Sequence, residues 1–183
     1  MSDKEKAGAL LFVGAAQFLF ALVVAEALYP GYSVSANTIS ALGVGPSALV
    51  FNASIIIFGA LAVAAAFFLK KALDCALFPA LVALAGFGAA GVGIFTSHAG
   101  FVHAFVSFVA FFFGALAAIA ACRIEKRPLN YFSVVLGVVA LAALGLYGAQ
   151  AFLGLGIGGM ERLVAYPIII WVLGFGAWLL ERE

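Results

Sequence analysis

Charge is what this sequence has least of. Asp, Glu, Lys and Arg make up 9% of its 183 residues, where a water-soluble domain carries about a quarter. Histidine occurs twice, as His98 and His103, and cysteine twice, as Cys75 and Cys122. Each shortage excludes something. The formal net charge of +1 comes with no basic patch of the kind nucleic acid requires. The chain has no CxxC or CxxCH, no HExxH and no phosphate-binding glycine loop. No line of ionisable residues runs through the apolar stretches, as a proton relay or ion path would need. Gln17 is the one deep polar side chain, and a single amide makes no pathway.

Apolar residues take the place of charge. They are 67% of the chain, with a mean hydropathy of +1.24, too much to bury in a core of this size. The sequence therefore reads as an all-α polytopic membrane protein. A spanning helix needs roughly 20 apolar residues, and six such stretches stand at 7–29, 47–69, 73–95, 100–122, 130–152 and 162–180. Together they form a single six-helix domain over 1–183. A barrel is excluded, because no stretch alternates polar and apolar faces. Residues 1–6 are charged, and the long run after them lacks a small-residue cleavage site, so it reads as a retained first span.

Basic residues set the orientation, since Lys and Arg stay on the cytoplasmic side. With the N-terminus inside, Lys4, Lys6, Lys70, Lys71, Arg123, Lys126, Arg127 and Arg182 fall inside, and Arg162 alone falls outside. Both termini are then cytoplasmic, in the plasma membrane. Cys75 and Cys122 lie near inner helix ends, as reduced packing thiols. The first extracytoplasmic loop, 30–46, is long and uncharged. Pro30 and Gly31 end the first span, and Asn37, Ser40 and Gly43 suit turns or a short half-helix. Such a loop packs back on the bundle as a lid or re-entrant piece.

Polar residues gather at this outer end. They include Glu26, Tyr29, Tyr32, Asn37, Ser40, Asn52, Ser97, His98, His103, Tyr147, Gln150, Glu161, Arg162 and Tyr166. A carboxylate near lipid depth needs a partner, and Arg162 is the natural one for Glu26, with Glu161 competing. Arg162 and Tyr166 share a helix face at spacing four, as do His103 and Ser107. The expectation is an outward polar pocket. In it Glu26, His103 and Glu161 are the catalytic candidates, and Arg162, Tyr166, Asn37, Ser40, Asn52 and Tyr32 the ligand-binding ones. A bland reading stands beside each: interfacial aromatics, headgroup-facing histidines, and a rim ion pair of little value. His98 and His103 are metal candidates, but at spacing five they diverge by about 140° on one helix, so a metal needs a ligand from another span. Small-residue stripes, Gly86–Ala90–Gly93 and Gly114–Ala118–Cys122, let helices approach closely.

The loop YPGYS…NTISALG…FN, the histidines after the third span, and GGMERLVAYPIIIW entering the sixth resemble a family of prokaryotic, largely archaeal, membrane proteins, domain of unknown function 998. The resemblance covers most of the chain. It implies a six-helix bundle and lends no catalytic residues. Three functions stay open. One is a pocket for a lipid headgroup or small amphipathic ligand, which as an enzyme would be a headgroup hydrolase or transferase. The second is a redox subunit holding haem or a quinone at His103. The third is a non-catalytic subunit, self-associating or joining a membrane complex through its small-residue faces. The cofactor is left undetermined, and membrane lipids are the expected partners.

Overall fold

The computed structural model describes residues 1–181. Arg182 and Glu183, expected in the charged fringe, lie outside the described residues. The helices are α1 (Asp3–Leu28), α2 (Ala48–Ala72), α3 (Leu77–Ile94), α4 (Phe101–Ala120), α5 (Leu129–Gly148) and α6 (Gly156–Leu180). Each is long and apolar enough to cross a membrane.

Local chemistry explains the helix ends. Ser2 Oγ accepts the Glu5 N–H at 3.2 Å, and the Glu5 carboxylate accepts the Ser2 N–H at 2.7 Å. This capping box starts α1 at Asp3, ahead of the expected boundary. Lys70 and Lys71 occupy the last turn of α2, where cations suit the helix dipole. The largest departure from expectation is around α5 and α6. The α5 helix stops at Gly148, because Gln150 and Leu153 take left-handed backbone. The α6 helix begins at Gly156 instead of residue 162. Glu161 and Arg162 therefore sit inside α6, in its second turn, and not at its entrance.

Successive helices pack on one another, and α6 returns to α1, which closes a ring. Close approach depends on small residues. A Cβ on Gly86 would stand 2.8 Å from the carbonyl oxygen of Gly59, and one on Gly114 would stand 2.9 Å from Ile168 Cγ2. Both stripes thus pack helices of the same chain. Gln17 adds a polar tie, its Nε2 donating to Ser54 O of α2 at 2.9 Å.

The α4 helix also meets α6 across the ring. The interior is consequently walled by α1, α2, α3, α4 and α6, while α5 packs against α4 and α6 from outside. A partly open, apolar cavity lies between those five helices. The connection 29–47 lies over one end of it, and its short turn Ser40–Gly43 contributes Ile39 and Ser40 to the cavity wall.

Candidate functional site

Two neighbouring residues of α6 hold that connection down. Adjacent positions on a helix diverge by about 100°, so Glu161 and Arg162 reach different partners. The Glu161 carboxylate accepts the backbone N–H of Ile39, and that of Ser40 at 3.4 Å. It satisfies amides at the start of the turn Ser40–Gly43, which lack partners within the turn. Arg162 Nη2 donates to Glu26 Oε1 at 2.6 Å and to the Tyr32 hydroxyl at 2.7 Å. Its Nη1 donates to the carbonyls of Val34 (3.0 Å), Asn37 (3.2 Å) and Gly158 (3.0 Å). Both side chains are buried, Glu161 with 6% and Arg162 with 5% exposure.

The connection reinforces this strap from its own side. The Tyr32 hydroxyl donates to Thr38 O at 2.8 Å. Burial pushes the Tyr32 phenol above its usual pKa, against the pull of Arg162, so it stays protonated and keeps that bond. Asn37 Oδ1 accepts the Ser33 N–H at 2.9 Å, and Gly158 N–H donates to Ser35 O at 2.9 Å. A Cβ on Gly158 would collide with the carbonyl oxygens of Asn37 and Val34, so only glycine lets the connection lie this close to α6. At the far end Asn52 Nδ2 donates to Gly43 O at 2.9 Å, and Ser47 Oγ to Leu42 O at 2.9 Å.

Of the residues expected at a site, Glu26, Tyr32, Asn37, Ser40, Glu161 and Arg162 are thus brought together, and Asn52 anchors the same connection. Tyr166 lies one turn beyond Arg162, half-buried against the core. The histidines are elsewhere. His98 is exposed on the turn Ser97–Ala99. His103 Nδ1–H donates to Phe95 O at 2.7 Å, which caps the carbonyl end of α3. Its Nε2 is then the acceptor for the Ser107 hydroxyl, at 3.5 Å. No group of three or more His, Cys, Asp or Glu able to share a metal ion occurs among the described residues.

The expected pocket was polar; the space beneath the strap is apolar. The polar groups at this end are consumed in holding the connection, and what they cover is lined mostly by Leu, Ile, Val, Phe, Ala and Gly. Polar side chains enter the lining at Ser40, Ser107 and Glu161, all near the strapped end, besides Trp171 farther in. From Glu161 to Val172 the α6 wall runs eleven residues, about 16 Å. Ser107 is the polar member that sequence reasoning left out of the site. Its one signal was the spacing of four from His103.

A closed ring of six apolar helices with these short links makes the chain a multi-pass integral membrane protein. Residues 12–178 match the family model described as Protein of unknown function (DUF998), and the chain belongs to that family. No curated protein and no solved structure matches it.

Proposed function

We propose that this protein binds an amphipathic molecule in its central cavity. The apolar body lies between α1, α2, α3, α4 and α6, and the polar end lies under the strapped connection. The cavity carries this reading: its lining is apolar along its length, with Ser40, Ser107 and Glu161 at one end. Apolar interior space of that kind stays dry and favours apolar guests. In this reading the strap is scaffold. Arg162 and Glu26 shape the mouth by fixing the lid, and the ligand meets Ser40, Ser107 and Glu161.

The excess of Lys and Arg at the opposite end supports a plasma-membrane orientation with both termini cytoplasmic and the strapped connection outside. The test is solvent extraction and mass spectrometry of protein purified in mild detergent, beside an Ala89→Phe variant whose new ring fills the cavity. A lipid species present near one per protein, and lost in Ala89→Phe, is expected. No species above the detergent blank, or one retained in Ala89→Phe, overturns the reading.

A further inference from the structure

We infer that the cavity selects an uncharged amphiphile ending in a hydroxyl, such as a long-chain or isoprenoid alcohol, and discriminates against its phosphorylated form. The inference rests on the cavity reading above and adds the chemistry of the polar end.

Charge decides first. Among the described lining residues, Glu161 alone carries a charge, and it is negative. Arg162, its cationic neighbour, is turned away from the cavity. Both its Nη atoms are engaged with Glu26, Tyr32 and three carbonyls of the strap. Glu26, Glu161 and Arg162 together sum to a formal charge of −1. A phosphate at this mouth would face a carboxylate across a poorly solvated gap. The described lining residues hold no guanidinium or ammonium to offset it, since Arg162, with only its Nε–H unpaired, is not a lining residue.

Hydrogen-bond inventory decides next. A carboxylate offers about four acceptor sites, and the amides of Ile39 and Ser40 fill two of those on Glu161. The Ser40 hydroxyl hydrogen goes to Thr38 Oγ1, which leaves its oxygen as an acceptor. The Ser107 hydrogen goes to His103 Nε2, with the same result. The three polar residues at the mouth therefore present acceptors. Of the unpaired N–H donors, Arg162 Nε belongs to a residue outside the lining, and Trp171 Nε1 lies about 15 Å along α6 from Glu161. A hydroxyl supplies the missing hydrogen without bringing charge. A phosphate brings further acceptors that would stay unsatisfied. An ammonium would find one carboxylate already shared with two amides, too little to replace its hydration.

The experiment titrates purified protein with geranylgeraniol and with geranylgeranyl phosphate, followed by tryptophan fluorescence and native mass spectrometry. The alcohol is expected to bind at least ten-fold tighter. Ser107→Ala, which removes only a hydroxyl, should weaken the alcohol several-fold. Glu161→Gln should reduce the preference for the alcohol to less than three-fold. Phosphate binding as tight as the alcohol, or an undiminished preference in Glu161→Gln, overturns the hydroxyl assignment and leaves the cavity reading standing. Alcohol binding that Ala89→Phe does not disturb, or no binding of either probe, overturns both.

Discussion

Arg162 on α6 and Glu26 on α1 form an ion pair of 2.6 Å, and the same guanidinium holds two carbonyls of the connection between α1 and α2. One side chain thereby ties together the last helix, the first helix and the segment that roofs the cavity. Membrane-facing helices gain little from hydrophobic burial against each other, so a polar tie of this kind carries weight in a bundle of apolar spans.

Removing Arg162 should be costly. Arg162→Ala leaves Glu26 without its partner and several loop carbonyls unsatisfied, and breaking such a buried pair costs about 3 kcal/mol. Glu26 keeps 26% exposure, so Glu26→Gln should cost less. The melting temperatures of Arg162→Ala, Glu26→Gln and the double variant check this. The double variant should lose clearly less than the sum of the singles.

Gly158→Ala should free the connection without touching a charge. The new methyl would meet the Asn37 and Val34 carbonyls, and the connection would have to lift. Protease nicking within residues 30–46 should rise several-fold over the parent. Gly174→Ala is the matched control. Its Cβ meets nothing, and the better helix former should add up to about 1 kcal/mol.

Glu125 makes stability depend on pH. It sits between α4 and α5 with 6% exposure, and neither carboxylate oxygen has a hydrogen-bond partner. Burial pushes its pKa above the usual carboxylate value. The nearby Ser133 hydroxyl opposes this weakly, without closing a hydrogen bond. The folded chain thus holds this proton more tightly than the unfolded one. Its contribution to stability is present below the ordinary carboxylate pKa and is lost as pH rises through the raised value. The melting temperature of the parent should fall between those two points, while Glu125→Gln should lack that portion of the slope.

His103→Ala should behave as the loss of a helix cap. Freeing the Phe95 carbonyl costs about 1 kcal/mol, and the protein should purify without any change in visible absorbance. His103→Gln, whose amide can donate to the same carbonyl, should recover part of the melting temperature. A chromophore in the parent that vanishes in His103→Ala would contradict this.

Topology is open to a direct check. Cys75 is exposed at the end opposite the strap. In intact cells an impermeant maleimide should label Ser35→Cys and leave Cys75 unlabelled until the cells are opened.

Much of the fold was legible because a membrane span is written in composition. Ile, Leu, Phe and Ala run for the width of a bilayer, and breakers such as Pro30 and Gly31 stop them. The Arg162–Glu26 pair was legible for a similar reason, since an outer carboxylate near lipid depth demands a cation and one was available. Glu161 was harder. Its partners are backbone amides 121 and 122 positions away, and amides leave no mark in a sequence. The start of α6 was missed because Gly156, Gly158 and Gly159 dilute the apolar signal of its first turns. The cavity was invisible because its wall uses the same alanines and glycines that elsewhere bring helices into contact. Ala89 faces open space, while Gly86 on the same helix also meets a neighbouring backbone.

The position of Glu161 has one more implication. The carboxylate that clasps Ile39 and Ser40 also borders the cavity. Closure and occupancy therefore draw on one shared group, and two events that share a group are linked. Any guest that takes part of that carboxylate changes the grip on the roof. By reciprocity, any change that loosens the roof alters affinity for the guest by the same factor. On the proposed reading, residues of the strap that never touch the guest, Tyr32 and Asn37 among them, would be places from which its affinity is tuned.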